Sequence, residues 1–144
     1  MAPRWRAAGA AALVATVALV PAACSDDESG SPEELCRALR SQPALSSTFN
    51  GFDPTDVPAA LEQLRSARVT LGELRDAAPS EVKDDLSVEI DYVQALIDGL
   101  EPLEAADSAE VVATVRAITA DHPDVEAAAA TLAAYSEETC AREG

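Results

Sequence analysis

Few side chains in this sequence have the types and spacing that catalysis or metal binding requires. His122 is the only histidine, and it stands between Asp121 and Pro123. A zinc site needs several nitrogen or sulfur ligands, and the three cysteines show no C-x-x-C spacing. The sequence also contains no glycine-rich phosphate loop and no G-x-S-x-G nucleophile turn. We therefore predict no catalytic residues, no metal site and no cofactor, and we expect a protein that is not an enzyme.

Acidic side chains dominate the charge. The chain has 26 Asp and Glu residues against 10 Lys and Arg residues, and its net charge is -16. Such a chain is repelled by phosphate backbones, which excludes a nucleic-acid-binding protein. The acids of the third helical segment lack the loop spacing of an EF-hand, so we assign them to its solvated side. They are Asp84, Asp85, Glu89, Asp91 and Asp98.

Residues 1–23 have the three-part pattern of an export signal. Arg4 and Arg6 give a positive start, an uncharged run covers residues 7–20, and Ala22 and Ala23 provide small residues for cleavage. A membrane-spanning helix needs about 20 apolar residues, so this run is short for a permanent anchor. We expect a signal peptide that is removed.

Cys24 follows this signal directly, and Ala22-Ala23-Cys24 resembles the end of the lipobox of bacterial lipoproteins. In that family the cysteine thiol is diacylated before cleavage on its N-terminal side. Pro21 departs from the pattern, because Leu or Val is usual at that position. The resemblance implies a lipid on Cys24 that holds the protein at the extracytoplasmic face of the cell membrane. The alternative is an ordinary secreted protein cut after Ala22 or Ala23.

The other two cysteines, Cys36 and Cys140, lie near the two ends of the chain that follows the signal. Disulfides are rare in the reducing cytoplasm and persist outside it. If lipidation consumes Cys24, these two cysteines are the only pair that remains. We predict that a disulfide joins them and ties the ends of the domain together.

The remaining chain reads as helix. Aromatic residues make up only 3% of it and alanine is abundant, which favours helices over sheets. Apolar periodicity, N-caps and prolines divide residues 32–144 into five helical segments. We expect an all-α, up-down helical bundle of four to five helices, stapled by one disulfide. Residues 24–31 form a flexible acidic tether ahead of this domain.

The helix limits follow from caps and breaks. Ser31 and Glu34 have the spacing of a capping box at the start of the first helix. The predicted segments run from Pro32 to Ser41, from Asp53 or Asp56 to about Ala77, from an N-cap at Ser80 to Glu101, from an N-cap at Asp107 to about Ala120, and from Pro123 or Asp124 onward with Asp121 as N-cap. His122 then falls in a turn, where we expect a solvated side chain.

Apolar stripes indicate which side chains turn inward. In the second segment they are Val57, Ala60, Leu61, Leu64, Ala67, Leu71, Leu74 and Ala78. In the third they are Val82, Leu86, Ile90, Val93, Ile97 and Leu100. In the fourth they are Val111, Val112, Val115 and Ile118, and in the fifth Val125, Ala128, Ala129, Leu132, Tyr135 and Cys140. Gly72 is expected to mark a close helix crossing.

The longest irregular stretch, residues 42–56, contains the only two phenylalanines, Phe49 and Phe52. Two aromatic side chains on a loop can contact a protein partner or form the lip of a ligand site. Alternatively, both fold back and close one end of the bundle, because aromatic side chains bury large areas. Phe49 and Phe52 are therefore candidates for a partner contact.

The whole chain resembles small bacterial lipoproteins of actinobacterial type, which are exported helical domains rich in alanine and acids. The likeness rests on the lipobox, the two flanking cysteines and composition, so it implies no functional residues. We expect a non-enzymatic cell-envelope lipoprotein whose domain is a protein-interaction or structural module with an envelope protein as partner. The alternative is a carrier of a small ligand or lipid, which requires a pocket above about 300 Å³ between the helices, lined by Tyr92 or Tyr135.

Overall fold

The computed structural model of the protein describes residues 30–41 and 52–143. Within these ranges the chain forms five α-helices, two short 3₁₀-helices and no β-strand. The α-helices are α1 (Pro32–Ser41), α2 (Val57–Ala77), α3 (Ser80–Leu100), α4 (Ser108–Asp121) and α5 (Val125–Thr139), and the 3₁₀-helices are Glu101–Leu103 and Cys140–Glu143. The all-α bundle is confirmed.

Helix α3 is the centre of the bundle. It packs against α2 on one side and against α4 and α5 on the other. Helices α4 and α5 run along α3 one after the other, so together they form a single bent arm, residues 108–139. The short helix α1 contacts α2, α5 and the final 3₁₀-helix.

Helix starts follow the capping signals in most places. Glu34 N donates to Ser31 Oγ at 3.2 Å, and Ser31 N donates to Glu34 Oε2 at 3.0 Å, which is the predicted capping box. Asp56 caps α2 through Ala59 N at 3.1 Å. Asp107 caps α4 through the amides of two residues, Ala109 at 2.9 Å and Glu110 at 3.0 Å.

Two predicted caps are wrong. Ser80 is the first residue of α3 rather than its N-cap, because Pro79 has the extended backbone that the cap position requires. Asp121 is the last residue of α4, and α5 begins behind Asp124 without a side-chain cap bond. Pro123 restricts the backbone of His122, which ends α4 one residue later than predicted.

The core lies mainly between α2 and α3. All eight residues predicted to turn inward from the second segment are buried. On α3 the stripe is shifted: Leu96 is buried although it was not predicted, and Ile90 is only half-buried. On the arm only Val111 and Ala128 are buried, and the predicted inward residue Ala129 is exposed.

Close helix contact occurs at Gly99 rather than at Gly72. A Cβ on Gly99 would stand 2.5 Å from Ile118 Cδ1, whereas a Cβ on Gly72 would meet nothing within 4 Å. The prediction of a close crossing at Gly72 is therefore wrong. The glycine in the middle of α2 has no neighbour that requires it.

Candidate functional site

A disulfide bond between Cys36 and Cys140 cross-links the described domain. Cys36 is fully buried in α1, and Cys140 is half-buried at the start of the last 3₁₀-helix. Their Cα atoms are 5.3 Å apart, and 104 residues of sequence separate them. The predicted pairing is confirmed, and it joins the first helix to the end of the arm.

Phe52 lies half-buried five residues before the start of α2 and packs against the core. The turn that follows it is held by Asp53, whose Oδ1 accepts from Thr55 N at 2.9 Å and from Thr55 Oγ1 at 2.6 Å. These hydrogen bonds lower the pKa of the Asp53 carboxyl below its ordinary value. This turn thus fixes the position of Phe52 relative to α2.

A groove opens beside Phe52 between α2, α3 and α4, and its volume is about 230 Å³. We name it the Phe52 groove. Its lining is mostly apolar, with Gln63 and Tyr92 as the polar members. The lining residues are Phe52, Ala60, Gln63, Leu64, Tyr92, Leu96, Leu100 and Val115.

The size of this groove bears on the carrier alternative. Pockets that take ordinary small ligands start at about 300 Å³, which is more than the Phe52 groove offers. A second cavity, which Tyr135 lines together with five leucines, holds only about 50 Å³. Neither tyrosine-lined space in the described domain therefore reaches the size that the carrier interpretation requires.

His122 connects the arm to α3, contrary to the expectation of a solvated turn residue. Its Nδ1 lies 2.8 Å from the carbonyl oxygen of Ile118, and its ring centre lies 5.7 Å from that of Tyr92. The hydroxyl of Tyr92 is in turn 3.0 Å from Thr119 Oγ1. Because these contacts occupy the half-buried imidazole at the bend of the arm, a structural role accounts for it.

An open depression beside this bend collects acidic side chains. Asp91, Asp121 and Asp124 line it with His122. No group of three or more His, Cys, Asp or Glu residues in the described ranges has the geometry to hold a metal ion. The depression therefore has the character of a solvated acidic surface.

Comparison with family models, with curated protein sequences and with solved structures finds no match for this chain. The geometry and chemistry of its own residues are therefore the basis for a functional proposal.

Glu89 lies on the core-facing side of α3 rather than on the solvated side, where it was expected. It stands seven residues after Val82 and seven before Leu96, which is the spacing of the buried stripe of α3. Glu89 is half-buried, and the loss of water around its carboxyl raises its pKa above the ordinary value. Asp85 is half-buried as well, whereas the other three acids assigned to the outer side are exposed.

The arginines of α2 do not converge on an anion site. Arg65 Nη2 lies 2.8 Å from Glu101 Oε1, and Arg75 Nη2 lies 3.9 Å from Asp76 Oδ1. The side chains of Arg65 and Glu101 are each 51% exposed, so this pair contributes little stability. It does connect α2 to the 3₁₀-helix after α3.

Two of the predicted site residues, Cys24 and Phe49, lie outside the described residues, as does the predicted signal peptide. Within the described ranges, no helix combines the length and the apolar character needed to cross a bilayer.

Proposed function

We propose that the protein is an extracytoplasmic lipoprotein whose Cys24 carries the lipid. The helical domain is held at the outer face of the cell membrane and acts without catalysis, by contact with another envelope protein. Phe52, together with Phe49, forms part of the contacting surface.

The disulfide is the observation that carries this proposal. It uses both cysteines of the described domain, so the only further cysteine of the sequence is Cys24. That residue follows the export-signal pattern directly, where a lipoprotein needs its acylated thiol. A disulfide that joins the ends of a domain also fits an oxidising compartment. The two features support one location.

The Phe52 groove supports protein contact more than ligand transport. Its volume of about 230 Å³ is smaller than that of most ligand pockets. It does place the half-buried side chain of Phe52 at the surface. Aromatic side chains, phenylalanine included, are enriched in the cores of protein interfaces. A basic partner surface would complement the net charge of -16.

Intact mass of the full-length protein, recovered from the membrane fraction of a bacterial host, tests the anchor. We expect a mature N-terminus at Cys24 with a diacylglyceryl group on its sulfur. A Cys24→Ala variant should lose the lipid and, because cleavage follows acylation, should keep residues 1–23 as an unprocessed precursor. A mature N-terminus at Ala23, or an unmodified Cys24, would contradict the lipoprotein assignment.

Crosslinking in the native envelope, followed by mass spectrometry, tests the contact. We expect a specific protein adduct that is lost in the Phe49→Ala/Phe52→Ala variant. Val69→Ala is the matched control, because Val69 is 62% exposed on α2 and lies outside the groove. An adduct that survives in the double variant would refute the role of the phenylalanines. A small molecule that copurifies with the protein would instead favour the carrier alternative.

A further inference from the structure

The described domain has two poles, and the chain enters at one of them. Gly30, directly before the capping box, packs against the last turn of α2, where a Cβ on Gly30 would overlap the backbone of Ala77. The turn from α2 to α3, Ala78-Pro79, lies at the same end. We call this end, formed by Gly30, Ser31 and residues 77–80, the entry pole.

Both ends of the domain meet near this pole. The disulfide attaches Cys140 to α1 only five residues after Ser31. The final 3₁₀-helix also contacts α1. The opposite pole contains the start of α2, the end of α3 and the start of α4. The Phe52 groove lies along residues 60–64 of α2 and residues 92–100 of α3, in the half of the bundle nearer the opposite pole.

The direction in which the chain enters the domain is fixed. The capping box makes two hydrogen bonds between Ser31 and Glu34, at 3.0 and 3.2 Å. Gly30 is half-buried against the backbone of Ala77 and cannot swing away from α2 without losing this contact. The chain before Gly30 therefore starts from the entry pole.

Chain length then limits where the domain can stand. Six peptide steps separate Cys24 from Gly30, and an extended chain covers at most about 3.5 Å per residue, or roughly 20 Å. Helix α3 has 21 residues, so at 1.5 Å per residue the opposite pole lies about 30 Å from the entry pole. The tether is thus shorter than the bundle.

From these lengths we propose that the entry pole is the surface that faces the lipid bilayer, and that the Phe52 groove lies in the half of the bundle farther from it. This inference rests on the proposed lipid anchor at Cys24. The negative net charge of the chain opposes flat contact with anionic lipids within a Debye length of about 8 Å. The tether thus keeps the entry pole next to the bilayer, and a partner binds the groove in the half of the bundle that lies away from the membrane.

Energy transfer to the membrane surface tests this orientation. A single fluorophore is attached to full-length lipidated protein through Ser80→Cys at the entry pole, or through Glu104→Cys at the opposite pole; both positions are exposed. The native cysteines are consumed by the lipid and the disulfide. In vesicles of phosphatidylcholine and phosphatidylglycerol with acceptor headgroups, we expect loss of most donor emission at position 80 and much less loss at position 104.

Two controls complete the design. A Gly/Ser insertion of about ten residues after Ser29 should reduce the difference between the two labels, because a longer flexible tether lets the domain reorient. The same labels on Cys24→Ala protein that lacks residues 1–23 and has its disulfide formed should show no transfer at either position.

The outcomes separate the two proposals. If intact mass shows no lipid on Cys24, the proposed anchor fails and the orientation fails with it. If the lipid is present but transfer is equal at both labels, or stronger at position 104, the orientation is overturned and the anchor stands.

Discussion

The α2–α3 hairpin and the α4–α5 arm are both helical, but they bury very different numbers of side chains. Helix α2 buries seven residues and α3 buries six, whereas α4 and α5 bury one residue each. The buried hairpin residues are mostly leucines and valines, whereas the arm adds Val111 and Ala128 and otherwise only partly buried side chains, namely Val115, Ile118, Leu132 and Tyr135. Stability should therefore concentrate in the hairpin, while the arm depends on its covalent and capping attachments.

The arm buries few side chains because it packs on the rest of the domain along one face only. It lies along one side of α3, and α1 meets it only near its end. Alanine side chains on its other faces, such as Ala127, Ala130 and Ala133, are exposed. Alanine still favours the helix without burial, since it has the best intrinsic helix propensity. The arm is therefore a helix by propensity and a packed element only along one face.

The largest expected effect is loss of the disulfide, which holds the end of the arm. In the chain-entropy model, closing a loop of about 100 residues stabilises the folded state by roughly 4.7 kcal/mol. We expect the Cys36→Ala/Cys140→Ala variant to lose about 4–5 kcal/mol in denaturant unfolding. Amide exchange should accelerate more in the arm than in the hairpin.

Wild-type protein treated with a thiol reductant provides the matched control, since it should reproduce the loss without any cavity at position 36. An unchanged midpoint in both samples would show that the arm needs no covalent attachment.

The next effect compares one leucine from each region. Leu74 of α2 is fully buried, so Leu74→Ala should cost about 3–5 kcal/mol. Leu132 of α5 is half-buried, so Leu132→Ala should cost only about 1–2 kcal/mol. Equal losses in urea unfolding would remove the distinction between the two regions.

A smaller effect compares the two helix starts within the arm. Asp107 accepts from two backbone amides, so Asp107→Ala should lower stability by about 1 kcal/mol. Asp124 makes no side-chain cap bond, so Asp124→Ala should change stability much less. The melting temperatures of the two variants provide the measurement. A larger drop for Asp124→Ala would contradict the assignment of the caps.

The smallest effect concerns Glu89, the one acid in the stripe of α3. Its folded-state pKa is raised by desolvation, so the ionised form costs stability above that pKa, and the cost disappears as the carboxyl becomes protonated at lower pH. Glu89→Gln should therefore stabilise the protein slightly at pH 7, and the gain should fade below the ordinary glutamate pKa of about 4.5. Asp91→Asn provides the control for the removal of one negative charge, because Asp91 lies exposed on the same helix. A gain for Glu89→Gln that is constant from pH 7 to pH 4 would refute the desolvation argument.

Much of the fold could be predicted because its signals are local. The capping box at Ser31 and Glu34, the caps at Asp56 and Asp107, and the periodicity of α2 each depend on neighbouring residues alone. The disulfide followed from counting cysteines. The candidate site could be predicted only in part: Phe52 was named, but the groove beside it requires three helices to meet.

From the residues alone one could predict the helical character, most helix starts and, with Cys24 assigned to the lipid, the cysteine pairing, since propensity, capping and cysteine count are properties of the chain. Which positions of α3 are covered depends on tertiary packing, because α2 and the arm approach α3 from different sides. That arrangement buries Leu96, half-buries Glu89 and places His122 against Tyr92. It leaves Ala129 exposed for the same reason, since none of the described helices covers that face of the arm.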